Sequence, residues 1–539
     1  MRIQLASSFL FVGVLACGNS DTTPPVTPNN DAGAVDATAD LGLADLGFAE
    51  DAAQLDTGTD DLGFTVDASV DAGIDSGIDS GPRPDAQAGD PFAPQPDESE
   101  GLVNVSTNLE ALLENGGLEN ACADYEADPN DRRKMLLCGK SMFFYEGFGT
   151  VGVPQVFIEF FAENFPEVGS GWAEYGMVPD PYSTTHRPLG FGAAPPLGNA
   201  PTLAFTCASC HFGQLEDGRY AVGAPNHRYE YGKMIATIML VPALVSPNAD
   251  PLVHDPNAVA VVQPILDRVA MDRPLRLRLL LALLPLAGSA GMAAAVTPEV
   301  EGHYARWLSG TMDFVVAPLP VDDEVMTISK IIALWGIPKM DERDRAGMIH
   351  AMLAWTGTAQ SLEQFLEGFA ILGSGDLVTW TPDKLRPLAE YVYSLRAPEN
   401  LTPPAADAVA RGRQLFEQGG CLTCHQGPRG AGLTLYSYEE IGTDAEMKRW
   451  IDPELDGTPC CGLGVDAITQ QLKSPRLNGL HAMSRFLHNG SVPTLESLLC
   501  LDGPRGDVTA PAYGNAGHIY GCERTEAERQ DLIAFMRSL

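Results

Sequence analysis

The sequence predicts a mainly α-helical protein in which two globular domains follow a disordered N-terminal tail. After residue 101, apolar side chains recur at intervals of three and four, for example over 362–372 and 385–395, and alternating runs typical of strands are few. Before that point, Asp, Ala, Gly, Thr and Pro dominate and large apolar side chains are scarce. The pentapeptide Cys-x-x-Cys-His occurs twice, starting at Cys207 and at Cys421.

Residues 1–17 have the features of an export signal. Met1-Arg2 precedes an apolar run over 9–16 that is too short to span a membrane. Val14-Leu15-Ala16-Cys17 resembles a bacterial lipobox, which implies that Cys17 becomes the lipidated first residue. Gly18 in place of Asp implies sorting to the outer membrane of a Gram-negative cell. We expect a lipoprotein anchored there, on the periplasmic or cell-surface face; the alternative is an ordinary secretory peptide with an incidental cysteine.

Residues 18–100 have the composition of a disordered acidic tether. They contain 19 acidic residues and a single arginine, Arg83. Such a segment buries too little apolar surface to offset its chain entropy. The whole chain carries a net charge of -37, which argues against nucleic acid as a partner.

Each pentapeptide, Cys207-Ala208-Ser209-Cys210-His211 and Cys421-Leu422-Thr423-Cys424-His425, predicts a covalently attached haem. The two thiols add to the haem vinyl groups, and the adjacent histidine becomes the proximal ligand of the iron. One alternative is a zinc site in which the thiols of both motifs converge, and another is a redox dithiol of the thioredoxin type. Neither alternative requires the histidines, so we expect two haem c groups.

The second pentapeptide stands in the order of a cytochrome c domain. A helical stretch at 411–416 precedes it, and the chain ends in a helix that begins with a capping box formed by Thr525 and Glu528. In cytochromes c the first and last helices cross and brace the haem. We expect this domain to span 401–539.

The first pentapeptide repeats this order in a form enlarged by insertions. Residues 139–144 resemble the opening helix and 388–395 the closing helix, so we expect this cytochrome c-type domain to span 101–400. Within it, the apolar run 279–296 predicts a buried or hairpin-forming helix, since Pro285 interrupts it. The alternative is an apolar surface that admits a small or apolar organic substrate or touches the membrane.

Six cysteines remain after lipidation and haem attachment: Cys122, Cys138, Cys460, Cys461, Cys500 and Cys522. An even number in an oxidising compartment predicts disulfides. Cys122 and Cys138 are the natural local pair, and the pairing of the other four is open.

Three stretches carry a resemblance to a known family. They are Ser474-Pro475-Arg476-Leu477-Asn478-Gly479-Leu480, Phe486-Leu487-His488-Asn489-Gly490-Ser491-Val492-Pro493-Thr494-Leu495 and Gly514-Asn515-Ala516-Gly517-His518-Ile519-Tyr520-Gly521. With the two pentapeptides, they resemble the di-haem cytochrome c peroxidase superfamily, and within it the rubber oxygenase branch most closely. The resemblance covers 401–539 and the surroundings of 203–233.

The resemblance implies different roles for the two haems. His518 would be the distal ligand of the second haem, opposite His425, making a bis-His electron-transfer centre; Met483 is the nearest alternative ligand. His488 is expected to pack near this haem rather than bind iron. The first haem has no motif-encoded distal ligand, so its iron on the catalytic ligand His211 would stay open to peroxide or dioxygen. Histidines that could close it are His186, His227, His254, His303 and His350.

Three functions remain open at this point. The first is a haem-dependent oxidoreductase with one open and one closed haem, which exchanges electrons with a donor or acceptor protein. The second is a pure electron-transfer di-haem cytochrome at the outer membrane, and the third is a haem-based sensor or binding protein. The enlarged first domain and the run 279–296 favour the first, because a bare electron carrier needs neither.

Overall fold

The computed structural model describes residues 90–149, 152–165, 171–245, 254–284, 302, 305–313, 328–339, 353, 355, 361–372, 379–432, 434–447, 471–505 and 512–539. These residues belong to one compact unit, which includes Ala86–Leu539. A second unit, Ala16–Asp85, lies outside the described residues, as do the predicted signal peptide, Cys17 and most of the predicted tether. The proposed boundary between two domains near residue 400 stays a prediction.

The described part is rich in helices, as predicted, with short strands between them. Its helices, numbered in chain order, are α1 Leu109–Leu112, α2 Ala121–Ala127, α3 Arg132–Tyr145, α4 Gln155–Asn164, α5 Cys207–His211, α6 Tyr231–Val245, α7 Pro256–Met271, α8 Arg273–Ala282, α9 Leu362–Leu372, α10 Pro382–Ser394, α11 Ala406–Gln418, α12 Tyr438–Ile441, α13 Leu495–Leu498 and α14 Glu526–Arg537. Its strands are β1 Val105–Ser106, β2 Val153–Pro154, β3 Phe191–Leu197, β4 Ala200–Phe205, β5 Phe212–Gln214, β6 Tyr220–Val222, β7 Thr311–Asp313, β8 Ile328–Lys330, β9 Leu435–Ser437 and β10 Gln471–Lys473.

The helices predicted from apolar periodicity are confirmed. Helix α9 covers the predicted 362–372, and α10 covers 385–394 of the predicted 385–395. At the start of α14, the Thr525 hydroxyl accepts a hydrogen bond from the backbone N–H of Glu528, whose carboxylate accepts one from the backbone N–H of Thr525. The predicted capping box is therefore present, and it satisfies two N–H groups that the helix leaves free.

Helices α11 and α14 cross at Gly412. A Cβ atom at this position would collide with the carbonyl oxygen of Asp531 and lie 2.8 Å from the Cβ atom of Phe535. One turn further along α11, Phe416 packs edge-on against Phe535, with ring centroids 5.3 Å apart. The absence of a side chain at Gly412 therefore allows the two helices to approach.

Helices α3 and α10 cross in the same way at Gly139. Here a Cβ atom would collide with the carbonyl oxygen of Pro387 and lie 2.6 Å from the Cβ atom of Tyr391. Phe143 packs edge-on against Tyr391, with ring centroids 5.9 Å apart. The two predicted pairs of opening and closing helices thus meet through the same arrangement of glycine, carbonyl and aromatic ring.

The strands pair antiparallel in small sheets, in the orders β1-β6-β5, β2-β4-β3, β7-β8 and β9-β10. The hairpin of β3 and β4, which leads into the first pentapeptide, was missed by apolar patterning. Its connection contains Gly198 at a φ of 60°, followed by Asn199. A Gly-Asn pair is a hairpin signal, because glycine adopts positive φ without a steric cost.

Three apolar cores pack around the pentapeptides. The first core includes residues of α4, α6, α7 and α8, the second those of α3 and α10, and the third those of α11 and α14. Cys210 packs against the first core and Cys207 against the second, so the first pentapeptide lies at their junction. Cys421 packs against the third core.

The N-terminal edge of the packed part begins earlier than predicted. Asp90, placed in the tether by composition, forms an ion pair of 2.8 Å with Arg413. Phe92 packs edge-on against Phe416 and Phe535. The last residues of the predicted tether therefore pack on the surface of the third core. In the sequence, the aromatic side chain of Phe92 was the feature that could have predicted this packing.

The predicted disulfide Cys122–Cys138 is present, with a Cα–Cα distance of 4.3 Å. A second disulfide joins Cys500 to Cys522, whereas Cys460 and Cys461 lie outside the described residues.

The described start of the apolar run 279–296 lies in and just after α8. Leu279 and Ala282 are buried, whereas Leu281 and Leu284 are more than half exposed; 285–296 lie outside the described residues. Across the described ranges, no helix has the length and apolar character needed to span a membrane.

Candidate haem-binding sites

The first pentapeptide forms helix α5 directly after strand β4. The carbonyl oxygen of Gly190 accepts hydrogen bonds from the backbone N–H of Thr206 at 3.0 Å and from the hydroxyl of Ser209 at 2.6 Å. A Cβ atom at Gly190 would lie 2.8 Å from the Cα atom of Ser209. Ser209, a variable residue of Cys-x-x-Cys-His, and Thr206 just before the motif thus anchor it to the preceding loop.

The other end of the pentapeptide is held by main-chain contacts. The carbonyl oxygen of His211 accepts from the backbone N–H of Gly223 at 2.7 Å, and that of Cys210 from the backbone N–H of Asn226 at 2.8 Å. The Asn226 amide also donates to the carbonyl oxygen of Ser209 at 3.2 Å. The last carbonyls of α5 are therefore satisfied without further helical turns.

The imidazole of His211 is oriented by the main chain. Its Nδ1 atom lies 3.0 Å from the carbonyl oxygen of Ile332, to which it donates. That bond places the proton on Nδ1 and leaves the Nε2 lone pair free for a metal. Burial lowers the pKa of His211 to about 4, so the ring is neutral, as an iron ligand must be.

The second pentapeptide follows helix α11 and begins with a short 3-10 turn, Cys421–Thr423. The Nδ1 atom of His425 donates to the carbonyl oxygen of Gly430, 2.7 Å away. Burial lowers the pKa of His425, and the carbonyls of Gly430 and Pro475 oppose that shift. The two proximal-ligand candidates thus share one feature, an Nδ1 atom bonded to a main-chain carbonyl.

The four cysteines of the pentapeptides are free thiols in a chain whose other described cysteines form disulfides. Burial raises the pKa of Cys207 and of Cys210 to about 12, and burial also raises that of Cys421. A redox dithiol requires the opposite, a thiol whose pKa is lowered toward neutrality. The environment therefore argues against a thioredoxin-type redox pair.

His518 lies close to His425. Its Nδ1 atom is buried and has no hydrogen-bond partner among the described residues. Burial lowers the pKa of His518 to about 4, and the charge of His425 adds to the shift. The tertiary structure therefore brings together two histidines that are 93 positions apart in the sequence.

Asn489, from the family-like stretch 486–495, helps to hold the loop that carries His518. The Asn489 amide donates to the carbonyl oxygens of Ala512 and Gly514, each at 3.0 Å. On the other flank, the Arg505 guanidinium donates to the carbonyl oxygen of His518 at 2.6 Å. His518 itself has a φ of 54°, a left-handed conformation that these bonds hold in place. Asn489 and Arg505 were not predicted as site residues, although Asn489 lies inside a stretch that carried the resemblance.

Histidines that could close the first haem are dispersed. His186 is exposed and His254 partly buried; His303 and His350 lie outside the described residues. His227 follows Asn226, and its Nδ1 atom accepts from the backbone N–H of Ser484 at 3.0 Å. Its proton is then on Nε2, which is buried without a partner among the described residues, so this tautomer offers no lone pair to iron.

Several other polar and apolar side chains have packing roles. His488 is buried and packs edge-on against the rings of Trp355 and Tyr438. Trp335 is buried and donates to the carbonyl oxygen of Val222 at 2.8 Å. Met483 packs against the second and third cores.

These donors fit a covalently bound haem. Each pentapeptide supplies two thiols and one neutral imidazole, and the second site adds His518. In the described part of the chain, no three His, Cys, Asp or Glu side chains form a cluster of the kind that holds a metal ion.

Comparisons with known proteins give weak likenesses only. No protein-family model matches the sequence, and no curated protein matches it. Among solved structures, a hydrazine synthase of Kuenenia stuttgartiensis matches with 19% identity and a TM-score of 0.25, over 44% of this chain and 79% of that chain. The diheme peroxidase BthA from Burkholderia thailandensis E264 matches with 18% identity and a TM-score of 0.23, over 35% of this chain and 65% of that chain. Likenesses of this size carry no argument, so the assignment rests on the chain's own residues.

Proposed function

We propose that this chain is a di-haem c-type cytochrome oxidoreductase, with haem c attached at Cys207 and Cys210 and at Cys421 and Cys424. The observation that carries the proposal is the pair of histidines His211 and His425. Each follows two free thiols, each is neutral, and each donates from Nδ1 to a main-chain carbonyl. A hydrogen bond of this kind orients a proximal ligand and increases its basicity.

Two cytochrome c-type domains, 101–400 and 401–539, are part of the proposal. The matching helix crossings at Gly139 and Gly412 support them, because each places an opening helix against a closing helix beside one pentapeptide. Membership of the di-haem cytochrome c peroxidase superfamily, and of its rubber oxygenase branch, is proposed on the sequence stretches. The bonds from Asn489 to the His518 loop support treating two of those stretches as one unit.

The two sites are proposed to have different roles. When bound, the haem on His211 would activate peroxide or dioxygen, and the haem on His425 would transfer electrons. The proximity of His518 to His425 supports a closed, bis-His second site. The exposure of His186 and the tautomer of His227 support a first site that is left open.

Location and partners follow from the sequence. We propose an outer-membrane lipoprotein anchored through Cys17, which exchanges electrons with a donor or acceptor protein and acts on a small or apolar organic substrate. The half-exposed leucines at the end of α8, Leu281 and Leu284, are the described surface that would meet an apolar molecule.

The test of the proposed function is the low-temperature electron paramagnetic resonance spectrum of the oxidised protein, matured in a host that attaches haem c. One high-spin and one low-spin ferric signal are expected. Two low-spin signals in the oxidised protein, with the haem that stays ferric after one-electron reduction still low-spin, would instead support a pure electron-transfer cytochrome, with His227 the first candidate ligand to replace. A protein that carries no covalent haem would reject both functions.

A further inference from the structure

A main-chain segment, residues 332–335, lies between the two sites. The carbonyl oxygen of Ile332 accepts the hydrogen bond from Nδ1 of His211 at 3.0 Å. The next residue, Ala333, presents its carbonyl oxygen to the Nη2 atom of Arg476 at 2.9 Å. The Nε atom of Arg476 donates to the carbonyl oxygen of Trp335 at 3.0 Å. The Arg476 guanidinium thus forms hydrogen bonds to two carbonyls of the segment that orients His211.

At this contact the Arg476 guanidinium is buried, which disfavours its positive charge. Burial lowers the pKa of its guanidinium to about 10, and the neighbouring charge of Arg429 contributes. A planar guanidinium with two donors in fixed geometry holds two carbonyls of one segment in a way that an ammonium cannot. The arginine therefore restrains the position of Ile332 as well as that of Ala333.

The same stretch of chain reaches the second site. The backbone N–H of Leu477, next to Arg476, donates to the carbonyl oxygen of Arg429 at 2.8 Å. The following carbonyl, that of Gly430, accepts the hydrogen bond from Nδ1 of His425 at 2.7 Å. Hydrogen bonds from His211 to Ile332, from Arg476 to Ala333, from Leu477 to Arg429 and from His425 to Gly430 therefore connect the two histidines through short covalent links. Along this path, the Arg476 side chain joins segment 332–335 to the stretch that reaches the second site.

We propose that Arg476 is a positioning residue that couples the two haem sites, by holding the carbonyl that orients His211 from a stretch of chain that also supports His425. This inference rests on the proposed function, because it concerns the proximal ligands of two haems. Loss of the hydrogen bonds from Arg476 to residues 333 and 335 would weaken the hydrogen bond from His211 to Ile332. A proximal imidazole with a weaker Nδ1–H bond is less basic and stabilises ferric iron less.

The experiment is a spectroelectrochemical titration of the full mature chain carrying Arg476→Gln. The midpoint potential of the haem on His211 is expected to shift more than that of the haem on His425, because the weaker Nδ1–H bond raises it while loss of the positive charge lowers it. Arg476→Lys keeps the charge but cannot hold both carbonyls, so it isolates the hydrogen-bond effect and a rise is expected; it also serves if the glutamine variant does not fold. Arg529→Gln is the matched control, since the Arg529 guanidinium likewise donates to two main-chain carbonyls, those of Leu499 and Cys500.

Haem stoichiometry, measured on every variant by the pyridine haemochrome assay, separates the two ways of failing. Two haems per chain, with a potential at His211 that moves no more in the Arg476 variants than in Arg529→Gln, would overturn the coupling and leave the proposed function intact. Fewer than two covalent haems in the unsubstituted chain would overturn the proposed function and the coupling with it.

Discussion

His518 lies near enough to His425 that protonation of His425 would lower the pKa of His518, in addition to the larger effect of burial. Both rings are neutral under physiological conditions, and each belongs to a different segment of the C-terminal part of the chain. Two neutral imidazoles brought together beside a Cys-x-x-Cys-His motif match the donor set that a bis-His haem requires.

Replacement of His518 by alanine is therefore expected to open the second haem only. In the oxidised His518→Ala protein, the low-spin ferric signal should be replaced by a high-spin one, while the signal of the first haem is unchanged. His186→Ala, which removes an exposed histidine, is the control and should leave both signals as they are. An unchanged low-spin signal in His518→Ala would remove this ligand assignment.

The thiol pairs make a second prediction. The double variant Cys207→Ala, Cys210→Ala should retain one covalent haem per chain instead of two, because only thioethers survive denaturation and acid extraction. Haem staining on a denaturing gel, with the pyridine haemochrome assay, measures this. Cys500→Ser with Cys522→Ser, which removes a disulfide instead, should retain both haems. Two remaining haems in the first variant would contradict attachment at Cys207 and Cys210.

The helix crossing at Gly412 predicts a loss of stability on adding a single methyl group. Gly412→Ala forces a Cβ atom against the carbonyl of Asp531, and overpacking of this kind costs about 1–3 kcal/mol. Gly368→Ala is the matched control, because it lies in helix α9 with no atom within 4 Å of the added Cβ. The control should stabilise the protein by about 0.5–1 kcal/mol, since alanine is the better helix former. Thermal unfolding of both variants measures the change in stability; equal changes in the two variants would argue against a close crossing of α11 and α14.

The buried ammonium of Lys330 predicts a pH dependence of stability. Lys330 is 7% exposed, donates to the carbonyl oxygen of Arg485 at 3.0 Å, and lies over the rings of Trp355 and Phe486. Burial lowers its pKa from 10.5 to about 8. Between these two values the unfolded lysine keeps its proton and the folded one loses it, so the free energy of unfolding rises with pH across that window.

Lys330→Met should remove this rise and stabilise the protein by about 1–3 kcal/mol at neutral pH, because methionine fills the site without a buried charge. Denaturant unfolding of both proteins from pH 7 to 10.5 provides the comparison. A destabilised methionine variant would show that the ammonium pairs with an anion, such as a haem propionate, in the mature protein.

The proposed lipid anchor is tested by fractionation. Cys17→Ser removes the only acceptor for a lipid at the lipobox-like stretch, so the variant should leave the membrane fraction. Cys460→Ser, which alters a cysteine far from the N-terminus, should not change the distribution. Membrane retention of Cys17→Ser would contradict the anchor.

The sequence by itself determined the attachment motifs, the mainly helical class, the capping box at Thr525 and the Cys122–Cys138 pair. These features are local: a pentapeptide, a periodicity of three and four, or two cysteines close in the chain each carry their own physical reason. The hairpin of β3 and β4 carried a local signal too, in Gly198-Asn199.

Only the tertiary structure decided which groups act on the motifs from a distance. Ile332 and Gly430 contribute carbonyl oxygens, which every residue has, so no residue type could mark them. The packing of Phe92 on the third core and the approach of His518 to His425 also depend on how distant segments meet. Arg476 is the clearest case, because its stretch carried a family resemblance while its role rests on carbonyls of a segment more than a hundred residues away. Hydrogen bonds to main-chain atoms leave no mark on the partner's sequence, and this is why folding was needed to reveal them.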